Sequence, residues 1–396
     1  MATATSAEAL WDAAATLAPI FAQRTDAAAH QRHLHQQTVD QLRDAGLLRV
    51  YVPRRFGGDA LHMQDVLPSV ARLARGCPAA AWVLAVYQVH NWLVALLPEI
   101  AQDAVFGGGP DPVIVASLNP MKNTARVVDG GYLIERGTFP FCSGGPARQW
   151  AWLGVQVLDA ANDVVDVGAL LVPGADLVDN DDWYVSGLQG TGSASLSCTN
   201  LFVPADRLLS YKPACAGESP GLVSNPEPVF SAAFVPILVL NLAGPALGIA
   251  EQALADFSET IMVKSGAYPI SGEARIDAPQ AHTMLAESEM RIDVARLLLD
   301  RAGGVIRDAT NGSQRMPRAL AAKTCVDTTW ATRECMRAVH SLFLHSGGGV
   351  LNPGHPLQRA FQDISAINCH GFLSHETAVR LYGSLVTGHD EPNAFI

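Results

Sequence analysis

The chain has 396 residues, 49% of them hydrophobic and 16% charged, an ordinary globular composition. At about 100–200 residues per domain it is long enough for two or three domains. A formal net charge of −11, with no run of five basic residues, argues against a nucleic-acid partner, because phosphate binding relies on clustered Lys and Arg.

Cys77, Cys142, Cys198, Cys215, Cys325, Cys335 and Cys369 are odd in number and never spaced C-x-x-C. That pattern fits neither a disulfide framework nor a zinc site, and it suits a reducing, cytoplasmic compartment. His30, His33 and His35 cluster, but their spacing matches no metal motif and reads as solvated surface. No metal is expected.

The segment Met1–Leu17 is Ala-rich but carries Glu8 and Asp12 and lacks a basic start, so it does not read as a signal peptide. From Trp11 to about Phe106 the period is helical. Trp11, Ala14, Ala18 and Phe21 share one face, as do Val39 and Leu42 before the stop at Gly46. Val52 to Gly58, with Pro53 and paired glycines, reads as a loop.

Between Val113 and Pro204 the pattern changes to short runs rich in Val, Ile and Leu: Val113–Ser117, Tyr132–Glu135, Trp150–Leu158, Val164–Val172 and Leu196–Val203. Turn residues such as Gly130-Gly131 separate them, which predicts an antiparallel β domain. Ser210–Pro228, rich in Pro, Gly and Ser, reads as a linker. Helical patterns then return at roughly 234–260, 279–309, 316–346 and 357–386, which predicts a four-helix bundle. The apolar stretch Phe234–Ala250 is interrupted by Pro236, Asn241 and Pro245 and falls short of the ~20 residues of a membrane span. The expected fold is thus α+β and multidomain. It has an N-terminal helical domain over 1–110, a middle β domain over 111–209, a linker over 210–228 and a C-terminal four-helix bundle over 229–396.

Nucleotide signatures are missing. No G-x-G-x-x-G opens a βαβ unit, no Walker loop is present, and Gly347-Gly348-Gly349 follows a helix rather than a strand. There is no G-x-S-x-G elbow.

Other segments carry a resemblance. Ala45 to Pro53 followed by Phe56-Gly57-Gly58 resembles the first-domain signature of acyl-CoA dehydrogenases and their relatives. Gly187-Leu188-Gln189-Gly190-Thr191-Gly192-Ser193, with Leu201 to Pro204 after it, resembles the end of that family's β domain. Gly348-Gly349, Pro356 to Arg359 and Asp363 resemble its last helices. Gln189 and Gln362 stand where arginine is common.

A dehydrogenase of this family needs a carboxylate base to remove the substrate's α-proton. The resemblance places His370 or Gly371 where one such glutamate would sit, and Leu238–Gly244 offers no acid at the other location. Glu376, the next acid, is about a turn and a half further on at ~3.6 residues per turn.

Phe139 to Gly145, with Ser143 and the following Trp150, instead resembles the W-x-F-x-S-G segment of group D two-component flavin-dependent monooxygenases. These include the oxygenases for 4-hydroxyphenylacetate, secosteroid phenols and dibenzothiophene. His90 and His370 match the two histidines of that branch. Taken singly, Ser143 reads as a turn serine and His90 as a satisfied core histidine. Their joint occurrence in family order points to function.

The resemblance implies an oxygenase component. Reduced FMN or FAD from a separate flavin reductase would combine with O2 in a C4a-hydroperoxide that hydroxylates a small phenol- or indole-like compound. Ser143, His370 and His90 would be catalytic. Ser117, Phe141, Gly144, Thr191, Ser193, Gly348 and Gly349 would join Ser143 in holding flavin, and His90, Trp92 and Phe139 would line the substrate pocket. It further implies a homotetramer. N- or S-oxygenation, an acyl-CoA dehydrogenase with an unrecognised base, and a non-catalytic flavin-binding protein remain as alternatives.

Overall fold

A computed structural model describes residues 6–263, 279–312 and 315–389. The first five residues of the Ala-rich N-terminal stretch lie outside these. The N-terminal layer holds α1 (Ala7–Ala22), α2 (Thr25–Gln31), α3 (Gln36–Asp44), α4 (Met63–Ala74), α5 (Pro78–Val94) and α6 (Glu99–Phe106). Ser6 caps α1 by accepting from the backbone N–H of Ala9, and Leu10, Ala14, Leu17, Ala18 and Phe21 form its buried stripe.

The helix that organises the molecule is α5. Pro78 starts it at a position where a missing N–H costs nothing, and every residue from Ala79 to Val94 is buried. A helix buried on all faces must find internal acceptors for its side-chain donors. Gln88 donates to Leu47 O at 2.9 Å, Asn91 to Leu48 O at 3.1 Å, Trp92 to Val229 O at 2.9 Å and Tyr87 to Gly144 O at 2.8 Å. These bonds tie α5 to the N-terminal layer, the β domain and the segment leading into the bundle.

The β domain comprises β1 (Ile114–Ser117), β2 (Thr124–Val128), β3 (Gly131–Phe139), β4 (Trp150–Leu158), β5 (Val164–Pro173), β6 (Val178–Asp179), β7 (Leu196–Pro204) and β8 (Leu208–Ser210). They form one sheet in the order β6-β7-β3-β2-β4-β5-β8, with β1 also on β4. The sheet is mixed rather than purely antiparallel: β1 and β2 both run parallel to β4, with Ile114 opposite Trp150 and Thr124 opposite Gln156. The chain makes β1, steps out through Leu118–Asn123 and re-enters as β2 in the same direction, so both strands meet β4 alike. Gly154 permits the step, because a Cβ there would lie 2.6 Å from Leu118 C and 2.8 Å from Asn119 C. The excursion faces the cavity described below.

After β8, the stretch read as a linker holds α7 (Tyr211–Ala216), and Tyr211 is buried with its hydroxyl donating to Leu118 O at 2.7 Å. The bundle contains α8 (Phe234–Asn241), α9 (Gly244–Val263), α10 (Pro279–Asn311), α11 (Arg318–Leu344), α12 (Pro356–Asn368) and α13 (His375–Val386). Two of the four expected helices are therefore broken. The first breaks after Asn241, whose side chain donates to the Ala85 carbonyl of α5. The last breaks at Cys369–Ser374, where a 3₁₀ turn over Gly371–Leu373 intervenes and Ser374 caps α13. The run Phe234–Glu259 is apolar and long enough to cross a membrane by composition, but 89% of its most apolar window is buried inside the bundle.

Candidate active site

Where α5, the β domain and the broken bundle helices meet, they enclose a cavity of about 1250 Å³. That exceeds the roughly 300–1,000 Å³ of a typical single-ligand site. Helix α5 presents Trp82, Val86 and His90, spaced by four residues and so on one face. From α8 come Phe234, Leu238 and Val239, and the breaks at Leu242 and at Cys369–Phe372 open onto the same space. Lys122 and Arg380 also line it, whereas among the described residues no carboxylate does.

His90 is buried, and its Nδ1 lies 2.8 Å from the Ile114 carbonyl. A carbonyl only accepts, so Nδ1 carries the proton and a neutral ring keeps its lone pair on Nε2. Burial, outweighing the raising effect of the Ile114 bond and helped by His370 nearby, brings the His90 pKa down to about 4. His370 sits at the break between α12 and α13. There its Nδ1 accepts the backbone N–H of Phe372 at 3.3 Å, so its neutral ring carries the proton on Nε2. Burial brings its pKa to about 4 as well. The two histidines are thus neutral at pH 7 and of opposite tautomer, one with a basic Nε2 and the other with a donating Nε2–H.

Ser143 lies on the turn that follows β3, between Phe141 at φ 65° and Gly144 at φ 78°. A Cβ at position 144 would meet the Tyr87 hydroxyl at 2.1 Å, so glycine is required there for space as well as for φ. The turn is bolted to the 191–194 segment by Cys142 N to Ala194 O at 3.1 Å and Gly144 N to Thr191 O at 2.7 Å. The Oγ of Ser143 accepts from the indole of Trp82 at 3.1 Å and lies 2.8 Å from Ser193 Oγ. The Trp82 ring also packs edge-on against His370, with centroids 5.4 Å apart. Trp82 therefore joins the serine to the late histidine, and no motif in the sequence marks it. Its spacing of eight residues from His90 on an unbroken helix was the available cue.

Ser117, Phe141, Ser143 and Ser193 line the cavity, with Phe141 exposed at its mouth and edge-on to Trp183 at 6.3 Å. Gly144 and Thr191 stand behind this lining and support it. Three expectations are corrected within the single chain. Trp92 does not line the cavity: its indole donates to Val229 O and its ring backs Phe234, which does. Phe139 is fully buried in the sheet, paired with Leu196, and does not reach the cavity. Gly348 and Gly349 are exposed on a 3₁₀ turn after α11, away from the lining.

Cys142 is buried, and burial pushes its thiol up to about 12, so it packs rather than reacts. Asp363 holds the 187–191 turn by accepting the Leu188 N–H at 2.6 Å, and Gln189 donates to Val185 O at 2.9 Å within that turn.

A deep cavity between a β domain and a helical bundle, with two neutral histidines, buried hydroxyls and, among the described residues, no carboxylate, departs from the base that a dehydrogenase of this scaffold needs. The comparisons agree. Residues 7–104 match the family described as acyl-CoA dehydrogenase, N-terminal domain, and residues 240–375 the acyl-CoA dehydrogenase, C-terminal domain. The oxygenase subunit HsaA of a flavin-dependent monooxygenase from Mycobacterium tuberculosis is 32% identical over 93% of this chain and 92% of its own length. The oxygenase component of an FADH2-dependent resorcinol hydroxylase from a Rhizobium species is 27% identical over 94% and 93%. A crystal structure of the Mycobacterium tuberculosis HsaA monooxygenase superposes with a TM-score of 0.92 at 29% identity, over 99% of this chain and 100% of that one. The chain belongs to the flavin-dependent monooxygenase oxygenase components built on the acyl-CoA dehydrogenase fold.

Proposed function

We propose that the chain inserts one oxygen atom from O2 into an electron-rich phenol- or indole-like ring, using reduced flavin delivered by a separate reductase. The observation that carries this reading is the pair of neutral, oppositely oriented histidines in a cavity that no carboxylate lines among the described residues.

The lining fits a flavin and a substrate together. The space exceeds one ligand, and the hydroxyls of Ser117, Ser143 and Ser193 offer uncharged hydrogen bonds. Lys122 and Arg380 favour an anionic ligand over a cationic one. Ser143, Ser193 and Ser117 would hold the flavin ring, with Phe141 at the mouth. Bound reduced flavin supplies the electrons that activate O2. His90, with its basic Nε2, takes the substrate's hydroxyl proton and raises the electron density of the ring, a role worth about 10²–10⁴ in rate. His370 holds a proton on Nε2 in the same cavity as a hydrogen-bond donor. The apolar walls from α8 exclude water, which strengthens both interactions. A dehydrogenation would need a carboxylate base at the substrate's α-carbon, and among the described residues none lines the cavity.

The assembly is proposed to be a homotetramer. Met290, Val294 and Leu297 are exposed and share one face of α10, an apolar stripe suited to a second copy. Free thiols throughout the described chain support a cytoplasmic location. The purified chain, given chemically reduced FMN or FAD, O2 and a panel of phenols and indoles, should form hydroxylated product, and acyl-CoA thioesters should remain unoxidised. Thioester oxidation without hydroxylation would overturn the reading.

A further inference from the structure

The chain carries 38 acidic residues against 27 basic ones, yet the lining of the cavity inverts that balance. Lys122 and Arg380 line it, and among the described residues no Asp or Glu does. The two cations come from different walls, Lys122 from the excursion between β1 and β2 and Arg380 from α13. Both are exposed, which places them at the rim of the cavity rather than in its depth. The turn that carries Lys122 is fixed at both ends. Asn119 caps the 3₁₀ turn over Pro120–Lys122 by accepting the Met121 N–H at 3.0 Å. Asn123 donates to the Thr138 carbonyl and accepts the Thr138 N–H, both at 3.0 Å. Arg126 and Arg148 of the same domain pair with Glu135 and Asp179, whereas Lys122 pairs with no carboxylate among the described residues. On α13, Arg380 follows Thr377 by three residues, and both face the cavity. Glu376, one turn before Arg380, does not line it.

We propose that Lys122 and Arg380 form an anion subsite at the rim, which takes the carboxylate or phosphate of a ligand whose ring lies deeper in the cavity. A guanidinium offers paired N–H groups to either anion, and an ammonium offers a compact charge. An anion there meets attraction from two walls and no carboxylate of the lining to repel it. The depth below suits the ring, since Val86, Leu238, Val239 and Leu242 give it apolar walls. A ligand held by its anionic end would enter ring first and carry the ring toward the buried His90. Two ligands of the proposed reaction can carry such a group. One is the flavin, through its phosphate, and the other is a phenol or indole with an acidic side chain. The inference rests on reading the cavity as a site for flavin and an aromatic ring, and it adds the anion to what the site recognises.

The test compares wild type with the Lys122→Gln, Arg380→Gln double variant, using two pairs of probes that differ only in the anion. The first pair is reduced FMN and reduced riboflavin, which differ by the phosphate. The second is 3-(4-hydroxyphenyl)propionate and 4-propylphenol, which differ by the carboxylate, each offered to protein already holding reduced riboflavin. Dissociation constants are measured anaerobically at low ionic strength. Wild type should prefer the anionic member of at least one pair. The double variant should lose about five- to tenfold of that preference, since one exposed ion pair is worth up to about fivefold. Lys122→Arg, which keeps the charge, should retain the preference, and added salt should weaken it in wild type. A change confined to the first pair assigns the subsite to the flavin phosphate, and one confined to the second assigns it to the substrate. A change in both shows one subsite serving either anion. If the double variant keeps both ratios at the wild-type value, the anion subsite is overturned while the flavin reading stands. A wild type that binds neither reduced flavin overturns the functional reading itself, and this inference with it.

Discussion

The ring of His90 is held in one tautomer by Ile114, whose carbonyl lies 2.8 Å from Nδ1 and leaves Nε2 as the basic atom in the cavity. Replacing His90 with Ala should lower the hydroxylation rate of an accepted phenol by about 10²–10⁴. Wild type should hydroxylate at a nearly constant rate across neutral pH. The variant's rate should rise with pH, as the phenol ionises without help. A variant with the wild-type rate and a flat profile would reduce His90 to a packing role.

His370 offers a donor rather than a base, so its removal should show differently. His370→Ala should still fold and bind reduced flavin, yet product per flavin oxidised should fall about tenfold, the equivalent of ~1.4 kcal/mol. Hydrogen peroxide should make up the difference. Product yield at the wild-type level would show that the ring only fills the break between α12 and α13.

Ser143 contributes through its oxygen, which already accepts from Trp82 at 3.1 Å. A single hydrogen bond is worth about 0.5–1.5 kcal/mol net, and more where water is excluded. Ser143→Ala should therefore consume O2 normally but divert it to hydrogen peroxide, with roughly tenfold poorer coupling. Ser143→Thr should keep part of the coupling. Intact coupling in the alanine variant, with only a small stability loss, would mark Ser143 as a turn residue.

The buried histidines also predict a pH dependence of stability. Both titrate at about 4 in the fold, below the ordinary value of about 6.5. Between these values the unfolded chain binds more protons than the folded one, so stability rises with pH and is lost as pH falls from about 6.5 to about 4. The effect is on the order of 3 kcal/mol per histidine. Asp363 opposes it, because burial raises its carboxyl to about 6 and favours the protonated fold below that pH. Urea melts from pH 7 to pH 4 should show falling stability in wild type and a flatter profile in the His90→Asn, His370→Asn double variant. Equal slopes would mean that these histidines are solvated in the native state.

Much of this was legible in the sequence, because the motifs occur in order along nearly the whole chain. Ser143, His90 and His370 all reach the cavity. Trp92 was misplaced because at about 100° per residue it lies roughly 200° around α5 from His90. Phe139 was misplaced because the strand persists through it, paired with Leu196, and the chain leaves the sheet only at Pro140. The parallel strands β1 and β2 had no local signature, since strand direction depends on which neighbour a strand later meets. The break around His370 did have one, in Gly371 and the capping Ser374, but the apolar period on either side masked it.

Whether this dehydrogenase-like fold transfers oxygen from O2 can be read from an isotope label. The chain is mixed anaerobically with chemically reduced flavin and an accepted phenol or indole, without nicotinamide or reductase, and then exposed to ¹⁸O2 for one turnover. The product should carry one ¹⁸O atom, in an amount limited by the reduced flavin supplied. Product with oxygen from water, or flavin oxidised to hydrogen peroxide with no product from any electron-rich ring, would contradict it.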